Sequence, residues 1–224
     1  MDKEKQKKIF QTSETFLLSA ILALSGGFQD SYTYNMRDNV FANAQTGNVV
    51  LMSQHLMMGD WFKGLQYLLP VVSFALGVLV AEQIGNKYKK SVRIHWRQII
   101  VVMEILILLA VGFIPSRYNM LANMLVSFSC SMQVQTFRKV RGYAYASTMC
   151  IGNLRSGTDS ISKYIRSRNS EDLFKALHYY GIIFIFAIGA GIGGVLSNYA
   201  GLRAIWISAG LLMIVCLMMI KEHR

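Results

Sequence analysis

The chain has 224 residues, of which 53% are hydrophobic and only 16% charged, with a formal net charge of +11. Several apolar runs approach the ~20 residues that cross a bilayer, which excludes an ordinary soluble domain. In a soluble protein such a charge would point to nucleic acid. In a spanning protein Lys and Arg collect on the cytoplasmic face instead, and no nucleic-acid partner is expected.

In chain order, a basic N-terminus (1–15) carries Lys3, Lys5, Lys7 and Lys8 ahead of the first apolar run, Phe16–Tyr34. No A-x-A-like cleavage site follows, and Gln29-Asp30 interrupts the run, so it reads as a retained first span. Further spans are predicted at Leu65–Gly85, Gln98–Ile114, Asn119–Phe137, His178–Asn198 and Arg203–Ile220. Between them lie two apolar segments with a polar interruption, FANAQTGNVVLMS at Phe41–Ser53 and YASTMCIGNLRSG at Tyr145–Gly157. With six spans and a cytoplasmic N-terminus, only Arg37, Lys63, Arg117 and Arg203 fall outside, and the other Lys and Arg fall inside. Letting Phe41–Met58 and Tyr143–Tyr164 both cross makes eight spans and puts the basic loop NKYKKSVRIHWR outside, which fits the charges less well.

The two halves, 16–114 and 115–220, echo each other. Ser25 and Gln29 fall on Ser129 and Gln133, Gly47-Asn48 on Gly152-Asn153, the FALG at Phe74–Gly77 on the FAIG at Phe186–Gly189, and Asn86 on Asn198. The second half is longer at SRNSEDLFK, where a surface insertion is expected. A repeat of three spans enters the membrane from opposite sides, which predicts an all-α transmembrane fold of six spanning helices in two inverted three-helix repeats. Each repeat adds a re-entrant or broken Gly-Asn segment. Gly77, Ala81 and Gly85, with their counterparts Gly189, Gly193 and Ser197, make small-residue ridges for close helix packing, within one chain or at a homodimer seam.

Backbone that is not helical at membrane depth is tolerated where protein or a water-filled cavity satisfies it. Thr46, Gly47, Asn48, Gly152 and Asn153 suit such a break, and Asn can cap a helix or offer its amide to a ligand. Free N–H groups at a half-helix start favour an anion, and Arg155 adds charge there. Gln29, Gln133 and these residues are the candidate cavity lining; a plain turn is the alternative. Asp30 and Glu104 lie inside spans, where an unpaired charge is costly, and are the candidate coupling groups. Solvation at the outer interface is the alternative for Asp30, and pairing with Arg97 or a partner helix for Glu104. Glu82 can snorkel, and His55 reads as packed. Cys130, Cys150 and Cys216 lack metal-site spacing and read as small hydrophobes; no metal or cofactor is expected.

The pattern Gly27-x-x-Asp30, Phe41 with Thr46-Gly47-Asn48, then Met132-Gln133 followed by Gly152-Asn153-Leu154, resembles the YoaK-like family of bacterial multi-pass membrane proteins, a domain of unknown function. The resemblance covers nearly the whole chain and implies the bacterial cytoplasmic membrane, but brings no catalytic or binding residues. Members carry Gly-x-Gln-Asn where this chain has Ser131-Met132-Gln133-Val134.

No HExxH, Ser-His-Asp set, phosphate loop or carboxylate cluster appears, so no enzyme is expected. The leading expectation is a secondary transporter of an unidentified small solute, with both termini cytoplasmic. A channel of the same fold and a membrane scaffold or sensor are the alternatives.

Overall fold

In the computed structural model, which describes residues 14–88, 96–140 and 142–222, eight α-helices carry the fold among the described residues. They are α1 (Phe16–Met36), α2 (Gln45–Met57), α3 (Trp61–Tyr88), α4 (Trp96–Val111), α5 (Asn119–Thr136), α6 (Cys150–Ser167), α7 (Ser170–Ala200) and α8 (Ile205–Glu222). A two-residue antiparallel hairpin, β1 (Lys139–Val140) and β2 (Tyr143–Ala144), sits between α5 and α6. Lys3, Lys5, Lys7, Lys8, Lys89, Lys90, Arg93, Arg141 and Arg224, with most of the proposed basic N-terminus, lie outside the described residues.

The long apolar runs become α1, α3, α4, α5, α7 and α8, because a run of this composition satisfies its backbone only by helix formation. Two stretches, Trp61–Tyr88 and Ser170–Ile220, are long and apolar enough to cross a membrane. The Gly-Asn segments behave differently: each begins with irregular chain and then forms a helix, α2 of 13 residues and α6 of 18. At ~1.5 Å per residue, α2 is about 20 Å long, short of the ~30 Å hydrocarbon core.

The stretch SRNSEDLFK, expected as a surface insertion, lies at the surface and is mostly helical. Arg168 turns the chain with φ 54°, and the Asn169 side chain then accepts the Glu171 N–H at 3.0 Å. Glu171 and Asp172 place negative charge in the first turn of α7, where the helix dipole favours it. Reading apolar runs alone therefore starts this helix too late.

Helix α1 packs along α7, α3 along α5, and α4 against α8. In turn α1 touches α8 and α5 touches α4, while α2 lies on α3 and α6 on α7. The close pairs use the small-residue ridges. A Cβ on Gly77 would overlap the Phe128 carbonyl of α5, and one on Gly189 the Leu24 carbonyl of α1. One on Gly193 would lie 2.8 Å from the Phe28 Cα. Ala81 and Ser197 are buried, and Gly85 faces the Trp96 ring. These ridges are occupied by contacts within the chain.

Candidate functional site

At the end of α1, Asp38 and Asn39 adopt left-handed backbone (φ 63° and 58°), a conformation short polar side chains tolerate. The chain there folds back along α1. Asn43 reaches the middle of that helix: its N–H donates to Asp30 Oδ1 at 2.6 Å and its Nδ2 to the Gly26 carbonyl at 3.3 Å. Ser127 of α5 donates to the Ala42 carbonyl at 3.0 Å, and Gln45 to the same carbonyl at 2.7 Å. From this tip α2 runs outward again, and its N-cap Ala44 makes no side-chain cap bond. Asp30 supplies the missing anion, placed by α1 against the positive end of α2.

The second segment also returns to α1. After the hairpin, Ser147 accepts the Gln133 Nε2 at 2.9 Å, and Thr148 packs its methyl where a Cβ on Gly26 would sit. Asn43 and Thr148, each five residues before the Asn of the Gly-Asn pair, thus meet on the same residue of α1. Gly26 is required by that approach. The N-cap of α6, Met149, likewise makes no side-chain cap bond.

The amide of Asn48 is engaged by backbone. It accepts the Phe41 N–H at 3.1 Å and donates to the Phe41 carbonyl at 2.7 Å, seven residues earlier. Asn153 does the same to Ala146, at 3.4 and 2.7 Å. Both are buried and lock the irregular chain to the following half-helix. Replacing either by Ala leaves a partly buried N–H and C=O without partners, and we expect each of Asn48→Ala and Asn153→Ala to lose about 1–2 kcal/mol in detergent unfolding. Equal losses are expected because the geometry is shared. A loss under about 0.5 kcal/mol in either would contradict this role.

Gln29 is fully paired: Nε2 donates to Ser25 Oγ at 3.0 Å and Ser208 Oγ at 2.8 Å, and Oε1 accepts the Cys130 thiol at 2.7 Å. Gln133 Nε2 also reaches the Leu22 carbonyl at 3.3 Å. Thr46 and Gly152 are exposed in the first turns of their helices, Gly47 packs on the Phe41 ring, and Arg155 is exposed on α6. Glu104 is wholly buried on α4, and Arg97 pairs instead with Glu14 at 3.9 Å.

Asn43, Thr148, Cys130 and Ser208 were not singled out from the sequence. Neither was Arg37, which is fully buried and donates to Tyr32 Oη, Asn119 Oδ1 and the Val111 and Ile114 carbonyls at 2.9–3.1 Å. The matched places of Asn43 and Thr148 ahead of the Gly-Asn pairs were the available signal.

The two tips leave Asn43 Oδ1 and Thr148 Oγ1 buried with no hydrogen-bond partner among the described residues. With the Asp30 carboxyl they place an amide oxygen and a hydroxyl around the middle of α1. Clefts of about 480 and 320 Å³ open near opposite ends of α4, at the α7–α8 turn and beside the β1–β2 hairpin, and neither is lined by Asp30, Asn43 or Thr148. Among the described residues, no group of three or more His, Cys, Asp or Glu is placed to hold a metal.

A family model described as "Protein of unknown function (DUF1275)" matches residues 18–218. No curated protein and no solved structure matches the chain.

Proposed function

Because the chain belongs to the DUF1275 family, for which no function is described, we propose from its geometry that it is a secondary transporter of a small polar solute in the bacterial cytoplasmic membrane. It has six spans in two inverted halves, and the re-entrant segments before α2 and α6 bring their tips together at Gly26, one turn from Asp30. That meeting of two irregular segments is the observation that carries the reading. Irregular backbone inside a bilayer serves where it lines a cavity, and discontinuous helices of this kind form transporter sites at repeat interfaces.

The helix contacts support the two halves. Exchanging α1–α4 for α5–α8 converts α1·α7 into α5·α3, α2·α3 into α6·α7 and α1·α8 into α5·α4, and returns α4·α8 to itself, so every major contact has its mate. The buried positions agree: Leu18, Leu22, Ser25 and Gln29 of α1 correspond to Ala122, Val126, Ser129 and Gln133 of α5 at one constant spacing. Clefts near opposite ends of α4 suit an alternating-access carrier, with the bilayer as a required partner.

Orientation is tested by labelling single cysteines in a background without the native three. Ser116 and Ser170 are exposed at opposite ends. A cysteine at Ser116 should react with an impermeant thiol reagent in intact cells, and one at Ser170 only after permeabilisation. Flux into proteoliposomes separates the modes: saturable uptake supports the carrier, unsaturable conductance a channel, and absence of flux for every solute class a scaffold.

A further inference from the structure

The buried face of α4 recurs in α8 and the residue before it: Ile100, Val101, Glu104, Ile105, Leu108 and Val111 correspond to Ala204, Ile205, Ser208, Ala209, Leu212 and Val215. Glu104 therefore stands where Ser208 stands in the other half. Ser208 closes a cluster, bonding Ser25 Oγ at 2.6 Å and Gln29 Nε2 at 2.8 Å. The mates of those two residues are Ser129 and Gln133.

The matching cluster is chemically different. Gln133 commits its Nε2 to the Leu22 carbonyl of α1 and to Ser147, leaving only its Oε1 for other contacts. That oxygen, Ser129 Oγ and both carboxyl oxygens of Glu104 have no hydrogen-bond partner among the described residues. Glu104 and Ser129 are 0% exposed and Gln133 1%. Where one half holds a self-satisfied set of hydroxyls and an amide N–H, the other holds four buried oxygens, one carboxylate among them. Only the Ser129 hydroxyl brings a hydrogen to these oxygens, so the set is short of donors and is completed by a proton or a small cation, since buried acceptors left without a partner are costly.

We propose that Glu104, Ser129 and Gln133 form a buried site for a small monovalent cation, H⁺ or Na⁺, whose binding is coupled to solute movement at the centre. An oxygen-only set with one carboxylate suits a hard cation and offers nothing to a soft metal. Cys130 of α5 lies within electrostatic reach of both Glu104 and Asp30, and Arg97, on α4 itself, is held by Glu14. The proposal rests on the two-half reading, which supplies the equivalence of Glu104 and Ser208.

The test is the melting temperature of the purified full chain in detergent, without solute. NaCl is titrated against KCl and choline chloride at fixed ionic strength, then pH is varied at fixed salt. For a Na⁺ site, Na⁺ but not K⁺ raises the melting temperature saturably; for a proton site, acidification raises it at every salt. Glu104→Gln, which keeps the shape and removes the charge, should fold and lose the response. Ser129→Ala should keep a response with about tenfold weaker apparent affinity. A wild-type melting temperature indifferent to both Na⁺ and pH, or a response undiminished in Glu104→Gln, overturns the site. Because no flux is measured, that outcome leaves the carrier reading and its labelling tests untouched.

Discussion

Asp30→Asn should abolish solute uptake while leaving the protein folded. In proteoliposomes exposed to a defined mixture of amino acids, nucleosides, sugars and small organic acids, read by mass spectrometry, the solute accumulated by the wild type should fall to the protein-free level. The asparagine Oδ1 can still accept the Asn43 N–H, now at 2.6 Å, so the α2 tip keeps its anchor and only the charge disappears. Asp30→Ala differs. It orphans a buried N–H and removes the anion at the start of α2, so a stability loss of about 1–3 kcal/mol should accompany the loss of uptake. Unchanged uptake in Asp30→Asn would make Asp30 a helix cap and nothing more.

Arg37→Met should be the most destabilising single change, on the order of 3 kcal/mol in detergent unfolding. Arg37 joins the end of α1 to the last carbonyls of α4 and to Asn119 at the start of α5, where its charge also meets the negative end of α4. Hydrogen bonds to charged groups are worth ~1.5–3 kcal/mol each, and the cost of burying the guanidinium offsets part of their sum. Arg37→Lys keeps the charge but cannot reproduce the planar fork, so an intermediate loss is expected. A fully stable Arg37→Met would mean that water already serves those carbonyls.

The helices were legible because a bilayer-sized apolar run has few structural options: α1, α3, α4, α5 and α8 begin and end within a few residues of the predicted runs. The polar entry to α7 was not legible from hydropathy, since Asn169 and two acids start that helix through capping rather than burial. The Gly-Asn pairs were visible as breaks, but what the asparagine amides do was not. A side chain that bonds backbone seven residues back has the same sequence as one facing a ligand. Asn43 and Thr148 were hidden for the same reason, because only the return of each segment to Gly26 puts them at the centre. Arg37 looked like an ordinary outer-loop cation, and nothing local in the sequence distinguishes a buried Arg from a solvated one when its acceptors are carbonyls on another helix.

The central claim is that two re-entrant segments enter from opposite faces and meet at Gly26, one turn from Asp30, with the first turn of each following helix open to water on its own side. Single cysteines at Thr46 and Gly152, both exposed in the first turns of α2 and α6, test it most directly. With a small hydrophilic thiol reagent, Thr46→Cys should react when the reagent is added outside, and Gly152→Cys when it is added inside. Reaction of both from the same side, or of neither from any side, would contradict the account.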